Sequence, residues 1–302
     1  MIKKANERNT TFESFHPIVI FIYFISIITI TMFSMHPIFL IMTFNISFIY
    51  SIILYGEKAL KFNVGILIPI MVVTMVLNPL FTHKGSTVLF YLNGNAMTLE
   101  SIIYGLAAAT MLSSVIIWFS CFNRIMTSDK LIYLFGRILP VLGLVLSMCL
   151  RFVPMLMKRF REISEGQKCM GRDFSKSSIL KRIRQFGKEI SILIAWSLEM
   201  SIETSDSMGA RGYGLKGRSS FSIFRFDKRD MKLLTVILLF VGVVVAGCTK
   251  GENNILYYPQ IIFNSTSVVT VVTMIAYLLL LTLPMIIDVR GELIWKSLSL
   301  KI

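Results

Sequence analysis

Two short clusters of arginine and glycine are the residues best suited to chemistry with a partner. They are Cys169-Met170-Gly171-Arg172-Asp173 and Met208-Gly209-Ala210-Arg211-Gly212-Tyr213-Gly214. Arginine is a rigid, permanently charged fork of donors that suits an acidic groove on a partner. Glycine next to it supplies the left-handed backbone that closes a helix, and a cation near a helix C-terminus is favourable to the dipole. A plain helix cap and a charged fork presented at a stiff tip are therefore both open readings of the same residues.

Other chemistry is missing from the chain. There is no G-x-x-x-x-G-K-[ST] loop for ATP phosphates, no HExxH, and no Ser/His/Asp arrangement. Cys121, Cys149, Cys169 and Cys248 are scattered with no CxxC spacing, which indicates neither a disulfide frame nor a zinc site. His16, His36 and His83 stand at span ends or in a loop and read as turn or interfacial residues rather than ligands. Glu100 opens a span and reads as an N-terminal helix acid. No catalytic, cofactor-binding or metal-binding residue is assigned, and the chain is read as non-catalytic.

The elements that must position the two clusters are set by composition. Of 302 residues, 55% are hydrophobic and only 16% charged, against about 25% charged in soluble domains. The mean hydropathy is +0.71. The class is an all-α polytopic membrane protein; the apolar runs are continuous, which excludes a β-barrel. The net charge of +14 reflects basic residues held on the cytoplasmic side of the bilayer rather than nucleic-acid binding. Residues 1–15 are polar and lack a cleavable-signal pattern, so the first apolar run reads as a retained span.

Apolar runs at about 17–34, 37–55, 62–80, 100–121, 231–248 and 265–287 predict six spans. Lys3, Lys4 and Arg8 place the N-terminus inside; Lys58, Lys61, Arg124 and Lys130 alternate correctly, and Arg290, Lys296 and Lys301 place the C-terminus inside. Residues 131–150 are apolar, but basic residues flank both ends. They read as a helix or bent helical pair in or under the interface, broken by Gly136, Pro140 and Gly143, with an ordinary span as the alternative. The expected domains are 1–122 with four spans, 123–230 as a cytoplasmic part, and 231–302 with two spans.

Within 123–230, residues 151–172 read as an amphipathic helix, with Phe152, Leu156, Phe160 and Ile163 at helical spacing. Residues 175–187 read as a basic linker or short helix, and 188–210 as a second long helix. Glu199, Glu203 and Asp206 form an acidic stripe expected to face the basic side of the first helix. No Asp, Glu, Lys or Arg occurs in 18–56, 62–83, 101–123 or 255–287, which is poor material for a self-sufficient ion-coupled carrier.

These residues resemble the transmembrane T component of energy-coupling factor (ECF) transporters, a group that includes the cobalt and nickel importer membrane subunits. Leu150-Arg151-Phe152-Val153-Pro154 is similar to that family's L-R-F-(I/V)-P segment. Gln167 and Gly171 sit where its first Ala-Arg-Gly motif lies, and Ala210-Arg211-Gly212-Tyr213 resembles the second, followed by Gly217-Arg218-Ser219. His16-Pro17 resembles the Asp-Pro before its first span. The resemblance covers about 10 to 250.

It implies a membrane domain plus a cytoplasmic coupling domain of two or three long crossed helices, in the prokaryotic cell membrane. The motif arginines would cap coupling helices and enter grooves on two ABC ATPase subunits, which bind ATP and Mg. A separate S component would bind the vitamin or metal ion. The chain departs from the family at the first motif, where Met170 takes the arginine slot and Arg172 follows Gly171. Unequal motifs would suit a heterodimeric ATPase pair. An ordinary ABC permease would need an E-A-A-x-x-x-G coupling loop, which is not found. A membrane enzyme or assembly factor would need converging catalytic side chains, and a channel a polar pore stripe.

Overall fold

The computed structural model describes residues 10–82, 85–92, 95–171, 178–215, 224–250, 255–263 and 267–299. The chain divides into two compact units, one of Met1–Leu131 with Phe224–Ile302 and one of Ile132–Ile223.

The first unit begins with a 3-10 turn, Phe12–Ser14, followed by α1 (Pro17–Phe33), α2 (Pro37–Tyr55) and α3 (Glu57–Phe81). A hairpin of β1 (Val88–Leu92) and β2 (Asn95–Thr98) leads into α4 (Leu99–Ile125), and α5 (Ser128–Ile138) leaves the unit. After α6 (Pro140–Cys169) and α7 (Ile179–Ala210) the chain returns as α8 (Lys228–Thr249), a hairpin of β3 (Ile255–Leu256) and β4 (Ile262–Phe263), and α9 (Val268–Ser299).

Local chemistry explains the helix starts. His16 and His36 cap α1 and α2, each Nδ1 accepting from an amide two residues on, Ile18 and Ile38, at 3.3 Å. The following prolines sit where the missing N–H costs nothing. Thr98 caps α4 by accepting from the Ser101 amide, and Asp227 with Asp230 forms a capping box on α8.

Helix α4 packs against α1, α2 and α3, while α9 packs against α2 and α8. Small residues make the approaches close. A Cβ at Gly105 would meet Asn78 Cβ at 3.1 Å, and one at Gly247 would fall on Thr273. The core is aromatic. Trp118, fully buried, has the rings of Tyr50, Phe24 and Tyr23 at 6.0, 6.1 and 6.4 Å. The Tyr277 hydroxyl lies 2.6 Å from Thr43 Oγ1 and 3.1 Å from Thr31 Oγ1, tying α9 to α2 and α1.

Among the described residues six helices are long and apolar enough to cross a bilayer, and the all-α polytopic class stands. Five of them, in α2, α3, α4, α8 and α9, are expected runs, and the sixth is not. The remaining expected run is α1, an apolar helix of 17 residues, about 25 Å long and at the short end of the roughly 17–25 residues that span a bilayer. Val141–Cys169, within α6, instead meets the length and composition of a span. The reason is continuity. The apolar 140–150 stretch and the amphipathic 151–169 stretch, expected as separate elements, form one 30-residue helix. Pro140 starts it, and Pro154 removes a single hydrogen-bond donor without ending it.

Two short hairpins replace expected loops. Asn93-Gly94 lies between β1 and β2 in the sequence, a dipeptide suited to a tight hairpin turn. The second hairpin is joined to the rest of its unit by the Tyr257 hydroxyl donating to Met35 O at 2.6 Å.

Candidate functional site: two glycine-capped helix tips

The second unit contains most of α5, all of α6 and all of α7. Helices α5 and α6 break at Leu139, and a Cβ at Gly143 would fall on the Gly136 backbone. The bent helical pair expected around Gly136, Pro140 and Gly143 is present.

Helices α6 and α7 pack through a mixed seam. Phe160 meets Phe186 edge-on at 5.7 Å, and the Arg159 guanidinium lies 5.2 Å from the Trp196 ring. Gln185 Nε2 donates to Glu189 Oε1 at 3.1 Å and to Gln167 Oε1 at 3.4 Å. All three polar residues are buried. A buried amide that satisfies its neighbours on both helices favours one register of packing over others. Phe152, Leu156, Phe160 and Ile163 are half-buried while Arg161, Glu162 and Glu165 are exposed, as the amphipathic pattern required.

Two expectations need correction. Residues 179–187, expected within a basic linker or short helix, are the first turns of α7, which has 32 residues. Lysine and arginine are good helix formers, and Gln185 is anchored against α6. The acidic stripe does not face the basic side of α6. Glu199, Glu203 and Asp206 are exposed, and none forms an ion pair among the described residues. Glu203 follows Trp196 by seven residues and so shares its face. The seam contacts named above, however, lie at 185–196, before the stripe begins. Arg151 and Pro154 are likewise exposed, whereas Gln167 belongs to the seam.

Each long helix ends on a left-handed glycine. In α7, Arg211 is the last, half-helical residue and Gly212 has φ +77°. Tyr213 N donates to Met208 O and Gly212 N to Gly209 O, both at 3.0 Å. This pair of bonds is the Schellman closure. In α6 the corresponding residues are Met170 and Gly171, with φ +74° at Gly171 and its amide donating to Lys168 O at 3.0 Å. The two caps superpose in register, which puts Met170 where α7 has Arg211. Met170, Gly171, Ala210 and Arg211 are exposed. Arg172 and Arg218 lie outside the described residues. The cap is thus the means of presentation. It fixes the backbone at the arginine without using its side chain, and leaves the guanidinium facing outward from a helix end.

Sequence reasoning missed Gln185, Glu189 and the Arg159–Trp196 contact. The signal was there: Gln185 and Glu189 stand four apart on one helix face, followed on that face by Ile192 and Leu193. Among the described residues no three His, Cys, Asp or Glu side chains gather as metal ligands would.

The family model for cobalt transport protein, CbiQ, matches residues 10–223. Several curated relatives carry the name energy-coupling factor transporter transmembrane protein EcfT. The one from Bacillus selenitireducens is 30% identical over 188 residues, covering 59% of this chain and 70% of the relative. That from Listeria innocua is 30% identical over 190 residues, 58% and 70% of the two chains. That from Lactobacillus helveticus is 33% identical over 105 residues, which is 34% of this chain and only 38% of the relative. The matched stretch takes in α1 to α7 and both glycine-capped tips, and on it the chain belongs to the CbiQ cobalt transport protein family.

Proposed function

We propose that this chain is the transmembrane scaffold (T) subunit of an ECF-type importer. In this reading 1–122 and 231–302 anchor it in the cell membrane with both termini cytoplasmic, and 123–230 is the coupling domain. Two ABC ATPase subunits hold ATP and Mg, and a separate S component carries the vitamin or metal ion. The observation that carries the reading is the α7 tip, where a left-handed Gly212 closes the helix and leaves Arg211 exposed as a charged fork. An arginine on a stiff 32-residue helix suits an acidic groove on a motor subunit, because the helix transmits displacement along its length rather than absorbing it.

The α6 tip takes the second ATPase. Met170 occupies the cap position of Arg211, and in the sequence Arg172 follows Gly171 as Tyr213 follows Gly212. The two tips therefore offer different chemistry, which favours two different ATPase chains. ATP-driven closure of the pair moves the tips together, and the Gln167–Gln185–Glu189 seam keeps the helices in register while they move.

Capture of the ATPases on a tagged form of this chain tests the reading. Arg211→Glu should abolish capture of one ATPase, and wild-type capture by that variant would end the docking claim. Met170→Glu and Arg172→Glu, compared side by side, decide which residue of the α6 tip makes the second contact.

A further inference from the structure

The chain passes between its two units twice, after Leu131 and before Phe224. Both passages are tied to the same short segment, residues 10–16, which precedes α1. On the outgoing side, Lys130 is 6% exposed, and its Nζ donates to Glu13 O at 2.7 Å and Ile125 O at 3.0 Å. On the returning side, Arg229 donates to Ser14 O at 3.2 Å and lies 4.2 Å from the Phe15 ring. Asp230, 2% exposed, accepts from the His16 amide at 3.2 Å through one oxygen and from the Asp227 amide at 3.0 Å through the other.

The far end of the chain closes the segment from the opposite side. Asp288 of α9 is 5% exposed; it accepts from the Phe12 amide at 2.7 Å and from the Tyr50 hydroxyl at 3.4 Å. A Cβ at Gly291 would fall on Thr11. Phe12 itself is fully buried, with Tyr23 at 5.3 Å and Phe24 at 6.4 Å.

We propose that residues 10–16 form a clasp that holds the two passages at a fixed separation. Lys130, Arg229, Asp230 and Asp288 are its positioning residues. Each of these contacts is made to backbone of the segment, to the carbonyls of 13 and 14 or the amides of 12 and 16. A backbone target fixes position more strictly than a side chain does, because it has no rotamers to take up slack. Buried ionised groups also resist leaving partners that already satisfy them. Burial lowers the Lys130 pKa from its ordinary value, because leaving water costs the charged form. The clasp gives α9, which lies beyond the matched residues 10–223, a role in fixing the two passages that lead into and out of 132–223. The clasp does not rest on the coupling role proposed above.

Spin labels at Thr127 and Lys228, both exposed, report the separation directly. The full chain in lipid nanodiscs carries them in a background with Cys121, Cys149, Cys169 and Cys248 replaced. The unmodified clasp should give one narrow distance distribution. Lys130→Met should broaden it at least twofold with little change in thermal midpoint. Lys130→Arg, which still donates to two carbonyls, should restore it. A wild-type width in Lys130→Met, or broadening that Lys130→Arg fails to reverse, overturns the clasp. ATPase capture reads the docking proposal separately: Arg211→Glu loses capture whether or not the clasp holds, and Lys130→Met should keep it.

Discussion

Gly212→Ala isolates the cap from the arginine it presents. Gly212 has φ +77°, where a Cβ costs about 1–2 kcal/mol in backbone strain. The new methyl would lie 3.1 Å from Leu215 Cδ1, the far end of an exposed side chain that moves easily, so the cost is backbone and not packing. In the free chain the strain is relieved by fraying the last turn of α7. In a complex that needs the Schellman closure, fraying is no longer open, and the strain appears in the binding free energy. One to two kcal/mol is roughly a 5- to 30-fold loss of ATPase affinity. Arg211→Ala removes the charged partner itself and should cost about 2–5 kcal/mol, well beyond the cap effect. Gly212→Asn should lose less than Gly212→Ala, because asparagine tolerates the left-handed region. Gly187, exposed in mid-helix with open space around it, supplies the control: Gly187→Ala should stabilise α7 by about 0.5–1 kcal/mol and leave affinity alone. The assay is a titration of ATPase against the tagged chain. Equal affinity for Gly212→Ala and wild type would show that the groove does not read the cap, and the presentation argument would fall.

Trp118→Ala should destabilise the membrane unit by about 3–5 kcal/mol, seen as a shortened half-life at elevated temperature in detergent. Trp118→Phe should cost far less, since the indole N–H has no hydrogen-bond partner among the described residues; equal losses would show that the ring volume is not what matters. His36 is a pH test. Burial lowers its pKa from the ordinary 6.5, and its Nδ1 accepts from the Ile38 amide. With the folded value depressed, the unfolded chain holds the proton more tightly. Its contribution is present in full above the ordinary value and is lost as the pH falls through the lowered folded value. His36→Asn keeps an acceptor that does not titrate and should flatten thermal stability over about pH 7.5 to 5.5; an unchanged slope would assign the pH dependence to other groups.

What could be read from the sequence was what one helix or one turn decides. His16-Pro17 and His36-Pro37 carry a cap acceptor and a first-turn proline side by side. Gly171 and Gly212 mark their helix ends for the same local reason. Errors arose where a distant partner decided the outcome. Residues 179–187 read as part of a basic linker or short helix because the partner of Gln185, Gln167, lies on another helix. Glu199, Glu203 and Asp206 do share one face of α7, but periodicity gives the angle around an axis and says nothing about where along it two helices meet.

Lys130 shows the deepest version of this limit. Counted as one more positive flank, it served only to orient the chain, and any basic residue there would have served equally. In the fold it is a buried cation bound to two carbonyls, one of them 117 positions away. Asp288 is the mirror case. It stands one residue past the last stretch free of ionisable groups and so looked like the end of a span, yet α9 continues through it to Ser299. Its partner is the Phe12 amide, 276 positions away. A charge at the edge of an apolar run is thus ambiguous between a solvated flank and a buried anchor. Only the partner resolves it, and a backbone amide or carbonyl leaves no trace in the residue types that surround it.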